Sequence, residues 1–217
     1  MARIKNDIFK LSGSLGDFTF SQDEYGTIAK LKSGTDKNRV KEHPRSQRTR
    51  ENNMEMGGAS TAAKALRLAL LQNKKSMRDR YFPGRLNGLM RKVVAMGQGK
   101  PGERKLDIRH NGALLETFEF VNAQPLVYSV GGIKEKPALN AERNEVYWTS
   151  PTLSTKNQIT APIEATHVKY LLGAATVSNY EYNADQNKYL PVVSNFRASA
   201  VFVESEAISL KQKTIAP

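Results

Sequence analysis

The segment RSQRTRENNMEMGGASTAAKALRLALLQNKKSMRDRYFPGRLNGLMRKVVAM, residues 45–96, is the one long helix-periodic run in the chain, and it separates two chemically different halves. Small or apolar side chains recur near the helical period at Met54, Gly58, Ala62, Ala65, Leu66, Ala69 and Leu70, which places them on one helix face. The adjacent Gly57 and Gly58 each cost roughly 1 kcal/mol in a helix interior relative to alanine. Such a pair marks either a junction between two helices or a point of close backbone approach. The sequence favours the junction, with Ser60 or Thr61 opening the second helix. Lys64, Arg67, Lys74, Lys75, Arg78 and Arg80 fall on the other face, and Pro83-Gly84 breaks the run before a shorter helix holding Leu86, Leu89, Met90, Val93 and Val94. The small stripe Met54, Gly58, Ala62 and Ala69 buries little area alone, so it calls for a bulky surface opposite, assigned to Leu115, Phe118 and Phe120.

Working outward, the 217 residues suit one large or two small domains. A negative mean hydropathy, the lack of any long uninterrupted apolar window and the polar start MARIKNDIFK predict neither a membrane span nor export by a signal peptide. The absence of cysteine excludes a disulfide framework, thiol catalysis and a cysteine-type zinc site. The net charge of +12 is unevenly placed: residues 1–110 hold 24 Lys and Arg against 11 Asp and Glu, whereas residues 111–217 hold 9 against 10. An asymmetry of this kind points to a basic arm or face that meets nucleic acid, an anionic surface or an acidic neighbour.

Upstream of the helical run, residues 7–32 read as a hairpin: Asp17 to Ser21 alternates, Asp23-Glu24-Tyr25-Gly26 turns, and Thr27 to Lys32 returns. A lone hairpin is marginal in water, so it is expected to pair with the downstream domain or with another chain. Residues 33–50 carry many cations and only Val40 as an apolar anchor, and read as an extended basic linker that orders against a partner.

Downstream, the period changes. Lys105 to Arg109 alternates, Asn111-Gly112 signals a tight turn, and Leu114 to Val121 supplies a return strand. Further strands are expected over 125–130, 144–149, 167–177, 189–194 and 198–209. Strands separated by Gly, Pro and Asn turns, without intervening helices, predict an antiparallel sandwich. Residues 154–166 form the longest loop, read as a crossover between sheets.

Familiar reaction signatures fail on context. Gly97-Gln98-Gly99-Lys100-Pro101-Gly102 matches a dinucleotide fingerprint, but that motif must follow a strand and open a helix, and here a helix precedes it and a strand follows. It reads as a linker. His43, His110 and His167 stand far apart without a second ligand at turn or helix spacing, Gly13-Ser14-Leu15-Gly16 lacks the nucleophile-elbow frame, and Glu116 and Glu119 cannot share a strand face. Tyr147-Trp148 with Tyr180, Tyr182 and Tyr189 read either as core or rim aromatics or as a stacking platform for sugar or base.

Two blocks, LSGSLGDFTFSQDEYGTIAKLKSGTDKNRV and SQRTRENNMEMGGASTAAKALRLAL, together with LLETFEF and ATHVKYLLGAATVSNYEYN, resemble an uncharacterised family found in Bacteroidota genomes and their phage-like regions. The resemblance implies a bacterial or phage origin, an intracellular starting point and a β domain behind an N-terminal arm. It carries over no activity and no catalytic residue.

These readings converge on an α+β, mainly β chain: a hairpin and basic arm over 1–50, a helical segment over 51–100 and an antiparallel β-sandwich over 101–217. The expected function is that of a non-enzymatic structural or assembly protein, cytoplasmic or in a virion, without cofactor, metal or catalytic residues. Its partners would be copies of itself or other structural subunits, contacted through Lys37, Arg39, Lys41, Arg45, Arg48, Arg50, Lys64, Arg67, Lys74 and Lys75. The alternative is a protein that uses the same cations to bind nucleic-acid phosphates without sequence preference.

Overall fold

The computed structural model describes residues 2–4, 11–23, 26–32, 37–71, 78–133, 135–142 and 144–215. The chain divides into two compact units, residues 1–50 and residues 51–217.

In the first unit, β1 (Ala2–Ile4), β2 (Gly13–Leu15), β3 (Phe18–Asp23) and β4 (Gly26–Leu31) form one antiparallel sheet in the order β1-β4-β3-β2. The expected hairpin is present as β3–β4, with Phe18 opposite Leu31 and Asp23 opposite Gly26; its connecting residues 24 and 25 lie outside the described residues. Its edges are extended by the chain's own flanking strands, β1 along β4 and β2 along β3. The basic segment that follows is not an extended linker. It holds α1 (Lys37–Glu42) and a single 3₁₀ turn (Pro44–Ser46) before α2 (Gln47–Leu71) begins. The residue before a proline disfavours helical geometry, so α1 stops ahead of His43, and Pro44 then enters the next turn at a position where its missing N–H costs nothing. His43 Nδ1 accepts from the Arg45 N–H at 3.1 Å and caps that turn.

In the second unit, α2 runs unbroken through Gly57 and Gly58, so the expected helix junction is replaced by the other option, close approach. A Cβ at Gly58 would stand 2.5 Å from Cγ of Tyr189. Thr61, expected near a helix start, instead donates its hydroxyl back to the Gly57 carbonyl at 2.9 Å. The apolar face is as the period predicts, with Ala62, Leu66 and Ala69 buried, and Ala59 and Ala63 widen it. Against it packs α3 (Phe82–Ala95), which presents Phe82, Leu86, Met90, Val93 and Val94, all essentially without solvent contact. Phe118 and Phe120 do contribute to this core, with rings 5.1 and 5.3 Å from that of Phe82. The bulky group opposite Gly58, however, is Tyr189.

The expected hairpin over residues 105–121 is a correction. Leu106 makes one antiparallel bridge to Tyr180, then α4 (Ile108–Asn111) and a 3₁₀ turn (Gly112–Thr117) follow. The Asp107 carboxylate caps α4 by accepting from the His110 N–H, and Asn179 Oδ1 accepts from the N–H groups of Ile108 and Arg109 at 2.9 and 3.3 Å. Side-chain capping thereby satisfies the donors that a strand ladder would have used. The expected strand at 125–130 is α5 (Leu126–Ser129), started by Pro125 and by Glu119 Oε2 accepting from the Leu126 N–H at 3.1 Å.

The remaining strands are short: β5 (Ala138–Leu139), β6 (Val146–Tyr147), β7 (Leu153–Ser154), then after α6 (Thr155–Gln158) β8 (His167–Val168), β9 (Leu171–Thr176), β10 (Tyr180–Asn183), β11 (Lys188–Pro191), β12 (Ser199–Glu204), β13 (Ile208–Ser209) and β14 (Thr214–Ile215). They pair as antiparallel two-stranded ribbons, β5–β6, β7–β14, β8–β13, β9–β12 and β10–β11, in place of two broad facing sheets. Helix at about 34% slightly outweighs strand at 26%, so the fold is mixed with antiparallel sheets and is not mainly β. Among the described residues no helix is long and apolar enough to cross a membrane.

Candidate functional site

The glycine-rich run that mimics a nucleotide fingerprint is a packing device. A Cβ at Gly97 would lie 1.8 Å from the Lys105 carbonyl oxygen, so only glycine lets the chain turn back from α3 there. The Gly102 N–H donates to Oε1 of Glu55 at 2.9 Å, across 47 residues. Glu55 is 2% exposed, and its carboxylate is met by Arg91 Nη1 at 2.8 Å and Arg104 Nε at 3.5 Å. Taking a carboxylate out of water is costly unless it is paired and hydrogen-bonded, as it is here. The Tyr189 hydroxyl closes the group by donating to the Arg104 carbonyl at 2.8 Å, its proton shared with the Gly102 carbonyl at 3.3 Å. Burial, and after it the nearby Glu55 charge, pushes the Tyr189 phenol well above the ordinary tyrosine range. Every polar atom named here is engaged by another part of the chain, and the cluster locks α2 to β11 and to the loop after α3.

A second group holds the end of the 3₁₀ turn on α3. Arg85 donates from Nη1 to the Glu119 carbonyl at 2.7 Å and from Nη2 to Asp79 Oδ2 at 2.8 Å, and its guanidinium lies 5.0 Å from the Phe118 ring centre. Asp79 also accepts from the Asn122 N–H at 2.9 Å, and this bond, together with the neighbouring Arg85, holds its carboxyl below the usual range against the opposing effect of burial.

The cations assigned to partner contact are distributed as follows. Arg39 and Lys41 are exposed on α1, Arg45 on the 3₁₀ turn and Arg48 on the first turn of α2. Lys37 opens α1, and its side chain lies outside the described residues, as do Lys74 and Lys75 altogether. Arg50 turns back, donating from Nη1 to the carbonyls of Val40 and His43, both at 3.0 Å, and satisfies the acceptors left at the end of α1. Lys64 is exposed and Arg67 half-buried on α2.

The tyrosines do not gather into a platform. Tyr180 and Tyr189 are buried in the core, Tyr182 meets Tyr189 edge to face at 5.8 Å, and Trp148 pairs with Tyr170 while donating its ring N–H to the Glu135 carbonyl. His110 Nδ1 lies 2.6 Å from Asp107 Oδ2, a pairing that belongs to the cap of α4. Among the described residues no three His, Asp or Glu side chains converge as metal ligands.

One surface feature is apolar, and hydrophobic period alone did not single it out. In β9–β12 directly opposed residues share a face, which puts Val201 with Ala174 and Val203 with Leu172. Val201 is 71% and Val203 68% exposed. On the other face Phe202 covers Gly173, and Ala175 packs against the core. Neither outer edge of the ribbon is paired by another described strand. Leu126, Val127 and Tyr128, consecutive on α5, are exposed as well. Comparison with protein-family models, curated proteins and solved structures finds no match to the chain.

Proposed function

We propose that the protein is a structural subunit that assembles with copies of itself, and that the β9–β12 ribbon is where assembly occurs. The observation that carries this reading is the solvent-facing pair Val201 and Val203 on a two-stranded ribbon whose outer edges are paired by no other described strand. A two-stranded ribbon is marginal by itself in water, and open edges are templates for further pairing unless something blunts them. Neither lysine nor proline interrupts β12, whose sequence is SAVFVE. Ribbons of neighbouring copies that meet face to face would supply the sandwich expected of residues 101–217.

The nucleic-acid reading is supported by Arg39, Lys41, Arg45 and Arg48, exposed within ten residues of one another. Light scattering separates the two. Wild-type protein is expected to run as an oligomer without DNA, and Val201→Lys/Val203→Lys as a monomer of unchanged helix content. A wild type that stays monomeric at high concentration, or an oligomer that persists in the double variant, overturns the assembly reading.

A further inference from the structure

We infer that the cleft between the β7–α6 corner and the turn joining β13 to β14 binds phosphate-type oxyanions through Lys156, Lys211 and Lys213. The cleft measures about 550 Å³, within the range of small-ligand sites, and these three lysines line it together with Asn157 and Gln212. Three of the nine cations in residues 111–217 thus converge on one concavity, in a half of the chain whose net charge is −1. No acidic residue occurs in residues 146–163 or 207–217, the two stretches that supply the lining.

Lys100, Lys105, Lys136 and Lys169 each pair with a glutamate, respectively Glu103, Glu181, Glu116 and Glu204. Among the described residues the three cleft lysines have no carboxylate within ion-pair distance. Some acceptors beside the cleft are already engaged within the chain. The Thr155 N–H donates to the Lys213 carbonyl at 3.2 Å, and its hydroxyl to the Gln212 carbonyl. Gln158 Oε1 accepts from the Ser154 N–H at 2.8 Å. What remains for a ligand is a surplus of donors and positive charge on a backbone already fixed in place, an arrangement that selects an anion rich in acceptor oxygens. Phosphate oxygens meet that description, whether from a nucleic-acid strand or from a free phosphate compound.

The test uses the full chain at low salt, with two probes: a fluorescent oligothymidylate read by anisotropy and inorganic pyrophosphate read by calorimetry. Replacing Lys156, Lys211 and Lys213 by alanine is expected to weaken binding of at least one probe by about tenfold or more, and for the oligonucleotide to lower the salt slope by about 2, since each single-strand phosphate contact contributes about 0.7. Lys→Arg at the same positions should restore it. Arg39, Arg45 and Arg48 replaced by alanine serve as the contrasting variant. Loss of oligonucleotide binding only in the cleft variant identifies a strand as the source, and tight pyrophosphate binding lost in the same variant identifies a free phosphate compound. Failure to bind either probe, or binding that the cleft variant retains, overturns the inference.

Discussion

Tyr189 and Gly58 stand so close that a methyl group on the glycine would reach to within 2.5 Å of the tyrosine Cγ. This contact joins β11 to the middle of α2, and it accounts for the second of the two adjacent glycines there. Only one of them is needed. Gly57 has nothing within 4 Å of the equivalent position. Gly57→Ala should therefore stabilise the fold by up to about 1 kcal/mol through helix propensity, whereas Gly58→Ala should cost about 1–3 kcal/mol by overpacking. Chemical denaturation of the two variants compares them directly, and equal midpoints would mean that the ring does not sit on Gly58.

Glu55 is the charged centre of the same junction. Glu55→Ala strands Arg91 and Arg104 and the Gly102 N–H, and should cost about 3 kcal/mol, the lower end for a broken buried pair because both guanidiniums retain some water. Glu55→Gln keeps an acceptor for Gly102 and should cost less. A double-mutant cycle with Arg91→Ala measures the coupling, and strict additivity of the two single changes would contradict the pairing.

Asp79 links stability to pH. Its carboxyl is held below the ordinary aspartate value of 3.8, first by the Asn122 N–H and then by Arg85 in opposition to burial. A carboxyl depressed in the folded state stabilises at pH above its unfolded value, and that contribution is lost as pH falls through the folded one. Thermal midpoints should thus hold steady from neutral pH down to the ordinary aspartate range and drop below it, and Asp79→Asn should flatten that acid limb. Tyr189 acts at the other end: its raised value makes stability fall as pH climbs past 10, the ordinary tyrosine value. Difference spectroscopy should show its ionisation only with unfolding.

Arg50 differs from the other arginines near it. Arg50→Ala removes both bonds to the end of α1 and should destabilise the first unit by about 1–2 kcal/mol, whereas Arg45→Ala, at an exposed position, should be close to neutral. Amide exchange over residues 37–46 resolves the two, and similar protection in both variants would remove the clamp role.

The helical centre was legible because burial imposes a period that the sequence must obey, as Ala62, Leu66, Ala69, Leu86 and Met90 do. The hairpin was legible for the same reason, in alternation. What alternation misread was residues 105–121, where the deciding contacts come from Asn179, more than seventy residues away, and from the Asp107 cap. Glu55 was missed because a lone carboxylate among small residues looks like solvated surface until its two arginines arrive from α3 and the loop beyond. The cleft lysines were missed because Lys156 lies far along the chain from Lys211 and Lys213 and the half that contains them is nearly neutral. Val201 and Val203 read as ordinary strand residues, since the sequence does not say which face the core takes.

The central claim, that copies of the chain meet through β12, is tested most directly by hydrogen–deuterium exchange of the wild-type protein at low and high concentration. The account predicts that amides of residues 199–204 gain protection as concentration rises, while those of α3 stay unchanged. Protection over residues 199–204 that does not depend on concentration, in a sample shown by light scattering to be oligomeric, would place the interface elsewhere and contradict it.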